Sequence, residues 1–463
     1  MITRRQLLGA AAVGAVGGRP PNVLLLLGDN WAAPHAGVYG DPVVRTPTFD
    51  RIAREGVVFT RAFAPNPSCS PSRSSLLAGQ PTHRLGEAAS LYGPLAADVP
   101  LYTDQLTAQG YFTGYSDKGF GPGTSSRPGR SANPAGELFP AFDAFLGARP
   151  AGKPFCFWYG SHQPHVPWNQ GRAGRKRMES LAFAVPPHLP DHPTVRADML
   201  DYYCEVEDFD QHSGRLLAAL ERSGELDQTL VIMTSDNGWQ MPRGLANCYD
   251  LGVRVPLAMR LPKRIRPGSV RTDFVSIASL ASTILEAAGV AVPGTMTAPS
   301  LWSRRREREI FLERERHANV RRGNLSYPVR GVRNERYLYL RNLEPDRWPA
   351  GDPEFFWSVG PYGDIDSTPT KAMLMAQRPA PFFDLSFGRR PAEELYDLAR
   401  DPGQIHNVAA QPSHAAALRR LRVQVDDWMR QSADPRAQGS TDFWDRAPYS
   451  GPRFEGLPPP EPR

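Results

Sequence analysis

The sequence predicts an α/β fold: a large mixed, mostly parallel sheet flanked by helices on both faces, then a smaller C-terminal antiparallel sheet with one helix. Two observations predict it. Up to about residue 308, apolar runs of strand length alternate with helical patterns, the arrangement that builds a covered parallel sheet. Beyond that point the strand signals become short and closely spaced, as in an antiparallel sheet.

The elements follow in order. Residues 23–27 are a continuous apolar run, as expected of a strand buried on both faces. Residues 50–56 close a short helix and 57–63 read as a strand. Residues 111–115, 155–159, 229–234 and 255–261 are further strand candidates. Long helical patterns span 196–223, stopped by Gly224, and 276–288, stopped by Gly289. Residues 310–313, 329–333, 336–341 and 394–398 are the strands of the smaller sheet, with a helix at 413–431. These patterns divide the chain into a leader (1–18), a large domain (19–308), a smaller α+β subdomain (309–433) and a Pro-rich tail (434–463) expected to be extended, packed on the surface or mobile.

In the leader, Arg4 and Arg5 precede a short apolar stretch at 7–16, too short to span a bilayer. It reads as a twin-arginine signal, which would send the protein to the periplasm or outside the cell. No other apolar run is long enough for a transmembrane helix.

Composition narrows the classes. With 41% hydrophobic and 22% charged residues, the chain is not disordered. The 41 Gly and 47 Pro have no period, which excludes collagen and predicts long, turn-rich loops. Four Cys in 463 residues do not make a disulfide scaffold. The net charge of +6 favours an acidic partner: nucleic acid, anionic lipid or a sulfated or phosphorylated polymer. The arginines form no stripe interleaved with aromatics, so nucleic acid is not expected.

Ligands of open parallel sheets bind beyond the carboxyl ends of the strands. Four polar signals fall there: Asp29-Asn30, Asp117-Lys118, His162 with His165, and Asp236-Asn237. Asp and Asn also simply begin turns after strands. Taken together, the two Asp-Asn pairs favour a hard cation, Ca²⁺ or Mg²⁺, over zinc. Between them in sequence lies a polar, helix-opening segment, residues 68–79, with Cys69 just ahead of Pro71 and Arg73 one turn on. A helix N-terminus there would favour an anion, and Arg73 could add a charge-assisted hydrogen bond. The alternatives for Cys69 are a small buried residue or half of a disulfide.

The segment C-S-P-S-R-S-S-L-L-A-G at 69–79 resembles the signature C-x-P-S-R-x-x-x-L-x-G of the Cys-type sulfatases, in the alkaline phosphatase superfamily. The flanks agree: N-V-L-L-L-L-G-D-N from Asn22, T-P-T-F-D from Thr46 and T-S-D-N-G from Thr234. Residues 315–349 and E-L-Y-D-L-A-R-D-P from Glu394 look most like the heparan N-sulfatase branch.

The resemblance implies an alkaline phosphatase-like fold and hydrolysis of sulfate esters or N-sulfates of a sulfated carbohydrate. It implies that a formylglycine-generating enzyme oxidises Cys69 to formylglycine, whose hydrate attacks sulfur. Asp29, Asn30, Cys69, Asp236 and Asn237 would hold Ca²⁺, with Mg²⁺ as the alternative. Arg73 would hold the diol, Lys118 a sulfate oxygen, and His162 the sulfate or leaving group. Arg316, His317 and Arg330 would bind a carboxylate or second sulfate of the sugar, although surface charge in an Arg-rich chain is the plainer reading of each. His35 and His165 receive no catalytic role.

Three departures stand out. Asn30 replaces the usual second Asp, Phe120 the His of K-x-H, and Leu245 a basic residue for which Arg243 is the candidate substitute. Two further readings therefore accompany the first: a phosphonate or phosphate diester hydrolase, and an inactive protein that binds sulfated glycans.

Overall fold

A computed structural model describes residues 19–125, 133–169, 177–179, 181–354, 360–438 and 442–451. The leader, with its paired arginines, lies outside the described residues.

The large sheet comprises β1 (Asn22–Gly28), β2 (Val57–Phe63), β3 (Phe112–Asp117), β4 (Glu137–Leu138), β5 (Phe155–Gly160), β6 (Thr229–Ser235), β7 (Arg254–Arg260), β8 (Ser269–Arg271) and β9 (Val275–Ser276). Their order across the sheet is β8-β2-β7-β6-β1-β5-β3-β4, with β9 also pairing β2. β7 runs antiparallel to β2 and β6, and the other pairs are parallel. The sheet is therefore mixed and mostly parallel, as the alternating pattern predicts.

All seven residues of β1 are buried. Leu24 and Leu26 pack in one core with Phe49 and Ile52 of α1 (Pro47–Glu55) and with Phe209 of α3 (Pro193–Arg222). Val23, Leu25 and Leu27 pack in the other with Leu76 and Leu77 of α2 (Cys69–Ala78) and with Leu280 and Ile284 of α4 (Ser279–Ala287). Two cores on two faces explain why the run lacks polar alternation. Each such Leu contributes roughly 1.5–3 kcal/mol through burial.

The smaller sheet is an antiparallel meander, β10 (Glu309–Arg314), β11 (Val329–Asn334), β12 (Tyr337–Asn342) and β13 (Glu393–Asp397), in sequence order. One face packs on Leu418, Leu421, Val425 and Met429 of α5 (Ala415–Gln431). The other packs Leu312, Val329, Leu338 and Leu340 against Phe63, Tyr249 and Val253 of the large domain. That contact brings the segment after β10 to the rim of the large sheet.

The tail expected from residue 434 is not extended over its described part. Asp434 is fully buried against Arg330, and Trp444 is fully buried. Asp434 is held by the subdomain, and the Trp444 indole donates to the Gly86 carbonyl of the large domain at 2.9 Å, so this part of the tail is packed rather than extended. Residues 452–463 lie outside the described residues.

Candidate active site

Strands β3, β5, β1 and β6 are neighbours and parallel, so their carboxyl ends share one rim. Asp29 and Asn30 leave β1 there, and Asp236 and Asn237 leave β6. The two turns are tied together: Asp236 Oδ1 accepts from the Asn30 N–H at 3.1 Å and the Asn237 N–H at 2.8 Å. Asn30 takes a φ of 76°, which Asn tolerates better than most side chains.

β2 delivers the chain to α2 at the same rim. Ser68 is the N-cap and Cys69 the first helical residue, one position further into the helix than the sequence suggests. The Cys69 Sγ lies 3.3 Å from Asp29 Oδ1, 3.6 Å from Asn30 Oδ1 and 3.7 Å from Asn237 Nδ2. Asp29, Asn30, Asp236 and Asn237 are all fully buried. Asp29, Asn30 and Asn237 thus meet the thiol directly, and Asp236 stands behind them, tied to both turns and to Arg73.

Arg73 and Lys118 supply the balancing charge. The Arg73 Nε–H donates to Asp236 Oδ2 at 2.8 Å, its Nη2 lies 3.3 Å from Asp29 Oδ1, and its Nη1 donates to the Gly119 carbonyl. The Lys118 ammonium donates to Asp29 Oδ2. Burial alone would raise the Asp29 carboxyl, but Lys118, His165 and Arg73 together hold it well below the usual range. Asp236 is raised, because burial and repulsion from Asp29 outweigh Arg73. The Cys69 thiol is pushed far up by burial and by Asp29, so it stays protonated and is a poor nucleophile as a thiol.

The donor set fits a hard cation. It offers two carboxylates and two amides, all oxygen donors of the kind Ca²⁺ takes. The Asn30 oxygen faces the thiol, and Asn237 Oδ1 is a buried acceptor without a hydrogen-bond partner, the state expected of an oxygen available to another ligand. Turning the Asn237 amide over would aim its oxygen at the same space. With Asn at position 30 the shell has one negative charge fewer than a third carboxylate would give.

His165, which sequence reasoning left without a role, stands beside the thiol. One ligand atom each of Asp29, Cys69 and His165 lies within 4.8 Å of the others. His162 is exposed at the outer edge, with its pKa lowered by burial and by Lys118. The Asp29 N–H donates to the Gln163 carbonyl at 2.9 Å, fixing how the segment crosses the rim. Two imidazoles three residues apart offered no local signal for which one turns inward.

The arginines expected to meet substrate are engaged elsewhere. Arg243 donates to the Leu385 and Gln404 carbonyls and lies 3.8 Å from the Tyr249 ring centroid, so it does not replace the missing base at Leu245. Arg330 is fully buried in ion pairs with Glu315 and Asp434. Arg316 caps the carbonyls of Asn324, Trp444, Ala447 and Pro448. His317 does reach the site: its Nδ1 hydrogen-bonds with the Ser68 Oγ at 2.8 Å. Phe120 and Leu245 are buried in packing, 1% and 2% exposed, and offer no polar group.

Comparison with known proteins agrees with this geometry. Residues 21–290 match the family described as Sulfatase, and residues 243–347 match N-sulphoglucosamine sulphohydrolase, C-terminal. Human N-sulphoglucosamine sulphohydrolase is 29% identical over 91% of this chain and 92% of its own. A ulvan-active sulfatase of Formosa agariphila is 23% identical over 89% of this chain and 75% of its own. The solved structure of BT4656 in complex with its substrate D-glucosamine-2-N,6-O-disulfate superposes with a TM-score of 0.65 at 19% identity, covering 90% of this chain and 99% of that one. Phosphonate monoester hydrolase of Agrobacterium radiobacter superposes at 0.67 and 19% identity, covering 90% and 96%. At such identities the two superpositions show the fold.

Proposed function

Because the chain belongs to the sulfatase family, we propose that it hydrolyses the sulfate ester or N-sulfate of a sulfated carbohydrate at the rim formed by Asp29, Asn30, Cys69, Asp236 and Asn237. The observation that carries this reading is the approach of Asp29, Asn30 and Asn237 to the Cys69 Sγ, with Asp29 Oδ1 3.3 Å away and Asp236 tied to the same two turns.

The Cys69 side chain is the group that a formylglycine-generating enzyme would oxidise to the aldehyde, and the hydrate would present a hydroxyl in place of the inert thiol. Asp29, Asn30, Asp236 and Asn237 would hold Ca²⁺, which when bound supplies a Lewis acid beside residue 69. Arg73 holds both carboxylates with its buried guanidinium and would hold the diol at residue 69. Lys118, held by Asp29, offers its remaining N–H groups to a sulfate oxygen. His165, within 4.8 Å of Asp29 and Cys69, is the candidate to give the leaving group a proton, a task Phe120 cannot perform. Burial of the whole set strengthens each of these interactions.

The Arg4-Arg5 leader supports export to the periplasm or beyond. Among the described residues no helix is long and apolar enough to cross a membrane.

The test is mass spectrometry of residue 69 in protein from its native host, together with sulfate release from N-sulfated and O-sulfated glucosamine and from an aryl sulfate. Formylglycine at 69 and release in Ca²⁺ are expected. An unmodified thiol with no release from any sulfate, or faster turnover of an aryl phosphonate, would overturn the reading.

A further inference from the structure

His317, which hydrogen-bonds Ser68 just ahead of Cys69, is preceded by Arg316, whose carbonyl accepts from the Leu91 N–H at 3.2 Å. The Arg316 guanidinium donates to the carbonyls of Trp444 (3.3 Å), Ala447 (3.0 Å) and Pro448 (3.2 Å). It therefore pins the C-terminal segment beside Leu91. Immediately beyond the two anchored points, the rings of Tyr92 and Tyr449 meet edge to face, 5.6 Å apart at 81°. Both tyrosines are only partly buried. The Leu91–Arg316 contact and the His317–Ser68 hydrogen bond set this tyrosine pair beside the segment that carries Cys69.

Asp366 lies on the same mouth. The fully buried Gln240 accepts from the Val166 N–H at 2.6 Å, beside His165, and donates through Nε2 to Asp366 Oδ2. The Ala318 N–H, next to His317, donates to Asp364 Oδ1 at 3.0 Å, two residues before Asp366. Lys371 spends its own donors on the Tyr362 and Ile365 carbonyls, at 3.0 and 2.5 Å. The carboxylate is part-exposed and keeps acceptor capacity toward the mouth.

We propose that Tyr92, Tyr449 and Asp366 form the subsite for the ring that bears the sulfate, and that this subsite selects a sugar with no second anionic group beside the scissile one. The inference rests on the carbohydrate reading above and deepens it. The apolar C–H face of a pyranose lies against the tyrosine pair, as amphipathic rings favour. Asp366 accepts hydrogen bonds from ring hydroxyls and opposes a further sulfate or carboxylate by like charge. The arginines that would have welcomed such a group, Arg316 and Arg330, serve the protein's own carbonyls and carboxylates. Arg316 is thus a positioning residue for the aromatic wall.

The experiment is calorimetric binding, in Ca²⁺, of N-sulfoglucosamine and of its N,6-O-disulfated analogue to full-length protein carrying Cys69→Ala, with sulfate release by unaltered enzyme measured in parallel. The monosulfated sugar is expected to bind about tenfold more tightly, and Asp366→Asn to shrink that ratio towards one. Tyr449→Ala should weaken both sugars about five- to tenfold, while Tyr449→Phe keeps the stack and the affinity. Arg316→Ala should reproduce the Tyr449→Ala loss. Equal or tighter binding of the disulfated sugar, unchanged affinity in Tyr449→Ala, or no binding of either sugar overturns the subsite. Selective binding without any sulfate release would leave the subsite standing and remove the hydrolase reading; release without selectivity would do the reverse.

Discussion

The Arg73 Nε and Asp236 Oδ2 lie 2.8 Å apart with both side chains fully excluded from solvent, so the guanidinium that would orient the nucleophile also braces one wall of the cation site. Removing it leaves two buried carboxylates short of a partner. Arg73→Ala is expected to lower stability by ~3–5 kcal/mol in chelator, and by less in Ca²⁺, where the cation takes over part of the charge. Arg73→Lys keeps the charge but not the planar fork and should recover stability more than turnover. Thermal melts with and without Ca²⁺, alongside turnover, check this; equal melting of Arg73→Ala and unaltered protein in chelator would refute it.

Cation binding is the second consequence. Chelation should abolish turnover and lower the melting temperature, because a ligand bound to the folded state alone stabilises it. Asn30 gives the site an amide where a carboxylate would add charge. Asn30→Asp is therefore expected to lower the half-saturating Ca²⁺ concentration about tenfold in a thermal-shift titration. An unchanged midpoint would take position 30 out of the ligand shell.

The smaller subdomain predicts an acid limb. Asp364 Oδ2 lies 2.5 Å from both Arg314 and Arg321, all three buried. Burial alone would raise its carboxyl, but Arg321 and Arg314 hold it below the ordinary 3.8. A depressed folded pKa means stability that is complete above the unfolded value and is lost as pH falls through the folded one. Unaltered protein should therefore lose stability below about pH 4. Asp364→Asn should be less stable at neutral pH, with two buried cations left short of a partner, and its loss on acidification should be shallower. Melting temperatures between pH 3 and 7 for both proteins test this; parallel curves would remove Asp364 from the account.

What the sequence made legible follows from what is local. The run over β1 is apolar without alternation because both faces are covered, so the strand and the polar pair at its end read directly from the chain. The same logic located Asp236 and Asn237 after β6, and Cys69 at a helix start. Arg316 and Arg330 failed as substrate ligands because their partners, Trp444 and Asp434, lie more than a hundred residues away, and no local pattern announces such capping. The packed segment around Trp444 was hidden for a related reason: a Pro-rich composition describes the chain, not the cavity it fills. Choosing between His162 and His165 needed the hydrogen bond from Asp29 to Gln163, which exists only once β1 and β5 are paired.

That choice yields the last prediction. His165 shares a 4.8 Å cluster with Asp29 and Cys69, whereas His162 is exposed at the edge. A group that protonates the leaving oxygen or nitrogen must lie against the reacting atoms, and its loss typically costs ~10²–10⁴-fold in rate. His165→Ala is expected to lower kcat by that order on a sugar sulfate. The loss should be smaller on an aryl sulfate, whose phenolate leaves readily without a proton. His162→Ala should change KM more than kcat, in keeping with a contact at the edge. Because both variants keep the segment, comparing their leaving-group dependence separates proton donation from mere positioning. A larger kcat loss in His162→Ala, or a His165→Ala loss of equal size on both substrates, would return the role to His162 or to another group.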